Sequence, residues 1–188
     1  RRQLRSAERL ALKHDKYNLL AEISQKQKRL AESTGNLSQE EIDQILKNDL
    51  AFHEKSLTYD KFWNLKSRLF TLLASKGISR TQEDLIQFKE IIDDLLKTTR
   101  KKELHFDTQY LYNHIYSAYY FAIGSLNECY QYLQENLLLL ESKKEVIEEQ
   151  PNRYFSILTN AIFVASRLKK NQEAQSMLKK LKQMPTDY

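Results

Sequence analysis

Apolar residues along this chain recur at intervals of three and four and almost never alternate in twos, which is the pattern of amphipathic helices rather than strands. Leu4, Ala7, Leu10 and Ala11 place one stripe on a helix over 1–13, and Tyr17 to Ser33 reads as a second helix ending near Gly35. Ser38, with Glu41 three residues on, has the form of a capping box. It opens a helix whose apolar face is Ile42, Ile45, Leu46 and Leu50. Tyr59 to Lys76 predicts a separate helix stopped by Gly77. Ser79 with Gln82 is a second capping box, before the stripe Leu85, Phe88, Ile91, Ile92, Leu95 and Leu96. After a polar hinge over 98–103 comes a tyrosine-rich helix ending at Gly124. A third box, Ser125 with Glu128, leads the stripe Leu126, Tyr130, Leu133, Leu137 and Leu140. Pro151 stops that helix and starts one running to about Lys170. Asn171 turns the chain into a last helix, which Pro185 ends.

A longer period lies over the helical one. Asn18, Asn64, Asn113 and Asn160 each follow a bulky or β-branched residue early in a helical segment, and Gly35, Gly77, Gly124 or Asn171 follows in turn. A helix, a break and a second helix at near-constant spacing mark a stacked array of helical hairpins. The expected organisation is one domain over 1–188, about nine helices, cut from a longer protein. It comprises a lone helix over 1–13 and hairpins over 16–57, 58–101, 103–149 and 151–184. The expected class is all-α. Three Gly and two Pro in 188 residues suit long helices with short connections and leave an all-β fold without its turn residues.

In two stretches the chain resembles tetratricopeptide-repeat proteins. Ser117, Tyr120, Gly124, Leu126, Cys129 and Leu133 match that family's spacing of small, aromatic, glycine and bulky positions, and Ile162, Ala165, Ala174 and Leu178 follow it more loosely. The repeat here is longer than the family's, and its Trp-Leu-Gly run and closing Pro are not kept. Armadillo- or HEAT-like packing is the rival. The resemblance implies a right-handed superhelical array whose first helices line a concave side, and a role in binding peptides or proteins.

Positions i, i+4 and i+7 share a helix face. Counted from the asparagines, this face carries Asn18, Glu22 and Gln25; Asn64, Arg68 and Thr71; Asn113, Ser117 and Tyr120; Asn160, Val164 and Arg167. Position i+5 is apolar each time: Ile23, Leu69, Ala118 and Ala165. A polar row opposite a packing face predicts a groove in which Asn64, Arg68, Asn113, Tyr120, Asn160 and Arg167 contact a ligand. The plain alternative is that each Asn bonds a neighbouring helix. The tyrosines Tyr110, Tyr112, Tyr116, Tyr119, Tyr120, Tyr130 and Tyr132 crowd two successive helices. They suit an interface, or a seam between helices with hydroxyls at its edge.

Charge changes the picture only locally. Residues 1–30 hold nine Lys/Arg against three Asp/Glu, whereas 31–99 are net −3 and 100–188 net +2. A basic end can bind nucleic acid in a strongly salt-dependent way. Such a surface would combine residues 1–30 with Lys97, Arg100, Lys101 and Lys102, and it is the alternative to peptide binding; a regulatory domain of a larger protein is a third reading. His14, His53, His105 and His114 show no metal-ligating spacing, and no glycine-rich phosphate loop occurs. Asp93-Asp94 and Glu148-Glu149 read as solvated. His114 reads as a satisfied buried histidine and the lone Cys129 as packing. The reading is therefore a non-enzymatic scaffold with no cofactor and no metal, binding a protein or peptide segment, possibly acidic. With no apolar run of membrane-spanning length and one cysteine, it is placed in the cytoplasm.

Overall fold

The computed structural model describes residues 1–35, 37–93 and 99–184. The expected stripe members Leu95 and Leu96, the candidate cation Lys97, Asp94 of the acidic pair, the hinge residue Thr98 and the stop at Pro185 lie outside the described residues. Among the described residues, nine α-helices and a short 3-10 turn at Lys101–Glu103 account for the secondary structure, with no strand. The helices are α1 (Arg2–Lys13), α2 (Tyr17–Thr34), α3 (Gln39–Lys76), α4 (Gln82–Asp93) and α5 (Phe106–Ala122), followed by α6 (Leu126–Glu141), α7 (Lys144–Glu149), α8 (Pro151–Arg167) and α9 (Asn171–Lys182). None of them is long and apolar enough to cross a membrane.

Most of the local signals act where they stand. Gly35 closes α2 and Gly77 follows α3, each in the left-handed region at φ 57° and 70°, where a Cβ would be strained. Ser38 and Glu41 form the reciprocal capping box, each backbone N–H donating to the other's side chain at 3.2 Å. Pro151 begins α8. Other signals are displaced. Thr81 rather than Ser79 caps α4: its Oγ1 accepts from the Asp84 N–H at 3.1 Å, and Asp84 accepts from the Arg80 and Thr81 N–H groups at 3.3 Å. The Lys76 ammonium and these N–H groups hold the Asp84 carboxyl down to about 2. Ser125 makes no side-chain cap to α6. The fourth break falls at Lys169, φ 59°, and Asn171 instead opens α9.

Two helix boundaries differ from the sequence reading. The expected break between 57 and 58 does not exist, because α3 runs unbroken for 38 residues. The stretch Ser56-Leu57-Thr58-Tyr59-Asp60 holds neither Gly nor Pro, and the Thr58 hydroxyl donates back to the Glu54 carbonyl at 2.8 Å inside the helix. Conversely, the long helix expected over 126–149 divides at Ser142-Lys143 into α6 and α7. The end of α6 is tied to later helices. Glu141 accepts from the Tyr154 hydroxyl at 2.7 Å and pairs with Lys180 at 2.6 Å. Burial raises the Glu141 carboxyl, but these two bonds outweigh it and leave the carboxyl below its ordinary value.

The chain divides into two compact units, one of Arg1–Phe62 with His105–Thr108 and one of Trp63–Leu104 with Gln109–Tyr188. In the first, α1 packs on α2 around Ala11, Tyr17, Leu20, Ala21, Ile23 and Phe52. In the second, α6 packs on α8 and α8 on α9. Leu69, Ile115, Leu140, Ile157, Leu158 and Ala165 are wholly buried there. The packing side of the asparagine-bearing helices was legible: Ile23, Leu69, Ala118 and Ala165 are all buried.

The polar side was not uniformly so. Asn18, Asn64 and Asn160 are exposed, but Asn113 is buried at 1% and Ser117 at 3%. Along α5, Tyr110, Leu111, Asn113, Ile115, Ser117, Ala118 and Ala122 are buried and Tyr112, Tyr116, Tyr119 and Tyr120 between them are half-buried, so the Asn113 and Ser117 part of the expected row does not face solvent. Asn136 on α6 is also buried and donates its amide to the Tyr110 carbonyl at 3.2 Å. Asn136→Ala is therefore expected to cost about 1–3 kcal/mol. The enclosed Asn113 Oδ1 has no partner, so Asn113→Leu, similar in volume, is expected to be close to neutral or stabilising. Urea unfolding of both variants followed by circular dichroism checks the contrast.

Candidate functional site

In the second unit, four helices contribute to a cleft of about 310 Å³, within the range of small-ligand pockets. Its walls are apolar: Phe70 and Leu73 from α3, Ala118 and Phe121 from α5, Leu133 from α6, Phe163 and Val164 from α8. The polar lining is limited to His114, Ser117, Cys129 and Asn160. Helical spacing explains how α5 supplies its share: His114, Ser117, Ala118 and Phe121 stand at i, i+3, i+4 and i+7, one face of the helix. On α8, Asn160, Phe163 and Val164 do the same at i, i+3 and i+4. Phe121 and Phe163 meet edge-on with centroids 6.2 Å apart. Phe163 is 50% exposed, so the cleft opens beside a half-exposed aromatic ring, and the Arg167 guanidinium lies over that ring at 5.5 Å.

One of the polar lining groups is His114. Its ring sits edge-on to Phe70 at 5.1 Å and tilted against Tyr110 at 5.5 Å, and its Nδ1 is enclosed with no hydrogen-bond partner. Burial, helped by the charges of Lys66 and Arg153, pushes the imidazole down to about 4. Lys66 stands over Trp63 at 4.4 Å and over Phe70 at 5.7 Å. Burial and the like charge of Arg153 lower its ammonium too. Arg153 lies over Tyr110 at 5.0 Å. Burial raises the Cys129 thiol to about 12, so it stays protonated and unreactive at neutral pH. The site offers a hydrophobic volume, a neutral imidazole and nearby cations. It holds no activated nucleophile.

The six residues predicted to line a groove are scattered relative to this cleft. Asn160 lines it and Arg167 covers its rim ring. Asn113 is buried and cannot meet a ligand at a surface. Asn64 and Arg68 are exposed on α3. Tyr120 belongs instead to a half-buried tyrosine stack. There Tyr132 lies nearly parallel to Tyr116 at 4.8 Å and to Tyr120 at 5.7 Å, with Tyr112 tilted against Tyr116. Burial, then the Tyr112 and Tyr120 hydroxyls, raises the Tyr132 phenol to about 12. These faces are occupied by one another, so the cluster is a packed, half-buried seam. The cleft residues missed from sequence were the phenylalanines Phe70, Phe121 and Phe163 and His114. Their one sequence signal was local helical spacing on α5 and α8.

No family model matches the chain, and neither a curated protein nor a solved structure matches it.

Proposed function

We propose that the chain is a non-catalytic interaction module that seats an apolar side chain of a partner protein's segment in the cleft between Phe70, Phe121 and Phe163. The observation that carries this reading is the apolar cleft beside a half-exposed phenylalanine, because hydrophobic pockets with a few polar groups are where anchoring side chains bind. Asn160 and Arg167 at the rim suit the polar flank of such a segment. The expected tetratricopeptide-like arrangement is compatible with this role but is not needed for it. The nucleic-acid alternative is weaker because several of its cations are engaged locally. Arg5 pairs with Glu41 at 3.0 Å, Lys28 with Asp49 at 2.6 Å, and Lys101 with Glu135.

Selection from a phage-displayed peptide library on the immobilised chain tests the reading. Peptides sharing one aromatic or large aliphatic residue are expected, and Phe163→Ala should weaken their binding at least tenfold. Being half exposed, Phe163 contributes less to folding than an enclosed ring, and circular dichroism of the variant checks that it folds. Recovery of no such peptide, or binding unchanged in Phe163→Ala, would refute the cleft as the docking point.

A further inference from the structure

We infer that the group seated in this cleft carries a carboxylate beside its apolar anchor, and that the carboxylate is held at the His114 end by Lys66. The inference rests on the reading of the cleft as an anchor site. Its own basis is separate: the lining is apolar, and the Lys66 ammonium, just outside that lining, stands over the Phe70 ring that forms one wall of the cleft. No Asp or Glu lines it. Lys66, half-buried on the Phe70 ring that forms one wall, has no carboxylate partner among the described residues; its neighbours are the Trp63 and Phe70 rings. The charged and titratable groups set around His114 are Lys66 from α3, Arg153 from α8, Cys129 from α6 and Tyr110 from α5 itself. None is an acid at neutral pH. A bound carboxylate would supply the missing negative charge, and an opposite charge in a poorly solvated place is felt strongly.

A consequence concerns protons. His114 is kept neutral by burial and by two like-signed neighbours. A carboxylate next to it reverses the electrostatic balance and favours the imidazolium. Its enclosed Nδ1 is without a partner, and in the imidazolium both ring nitrogens are donors. Binding of the acid should therefore draw a proton from solution, and binding of an uncharged analogue should not.

Calorimetric titration of the whole chain with 3-phenylpropionate and with 3-phenylpropanol, at pH 6 in two buffers of different ionisation heat, tests this. The acid is expected to bind at least tenfold more tightly than the alcohol and with net proton uptake. Lys66→Met should abolish the preference, and His114→Phe should abolish the uptake. Equal binding of acid and alcohol, or a preference that survives Lys66→Met, would overturn the inference while leaving the apolar anchor site standing. If neither compound binds, both the inference and the anchor site fall.

Discussion

Leu158→Ala is expected to destabilise the chain by about 2–5 kcal/mol, the range for truncating a fully enclosed leucine. Leu158 is 0% exposed, as are its neighbour Ile157 and, a turn later, Ala161. It sits on α8, which packs against α6, α7 and α9. A void at that position is bordered by several helices and cannot be closed by moving one of them. The same truncation at Phe155, on the same helix but 50% exposed, should cost well under half as much. Urea unfolding followed by far-ultraviolet circular dichroism reads both. Comparable losses for the two variants would mean that α8 is not the centre of the second unit.

Acid is expected to weaken the fold well above the range in which carboxylates titrate. His114 has an ordinary value of 6.5 when the chain is unfolded and about 4 when folded. Between these values the unfolded state binds the extra proton, so stability is intact above pH 6.5 and is lost progressively as the pH falls toward 4. A tenfold change in proton affinity is worth about 1.4 kcal/mol, which sets an upper scale of about 3 kcal/mol for this group. His105 adds to the loss in the same direction: burial lowers its imidazole against the opposing pull of Asp107 and Asp15. Asp84 acts in a lower window. Its folded carboxyl at about 2 lies below its ordinary 3.8, so its contribution is present above 3.8 and lost only below it. The test is unfolding free energy against pH for the native chain and for His114→Phe. The variant's curve should be distinctly flatter between 6.5 and 4. Parallel curves would mean that the His114 ring is open to water in the folded chain.

How far the sequence carried the fold can be traced to the kinds of signal involved. Stops and starts written in backbone chemistry were legible: Gly35 and Gly77 with positive φ, the Ser38–Glu41 box and Pro151 are properties of single residues or close pairs. Boundaries inferred from the long period were not. The period required a break near residue 57, where nothing in the local chemistry interrupts a helix, and α3 continues through it. At 142–143 the helix ends without Gly or Pro, where Glu141 is bound by Tyr154 and Lys180 from helices later in the chain. The asparagine period gave the packing face correctly through i+5. It misjudged Asn113, because the face of a helix that meets solvent depends on how many neighbours surround it, and on α5 both Asn113 and Ser117 are covered. The cleft was hidden for the same reason. Phe70, Phe121 and Phe163 are tens of residues apart and belong to three helices, so no spacing rule links them.

The most direct test of the central claim is a map of where a selected peptide sits. Backbone and aromatic side-chain resonances of the isotope-labelled chain would be followed as the peptide is added. Saturable shifts are predicted to centre on Phe70, His114, Phe121, Phe163 and Val164, and to collapse in Phe163→Ala. Saturable shifts centred instead on the tyrosine stack of Tyr116, Tyr120 and Tyr132, with the cleft resonances unmoved, would contradict the account.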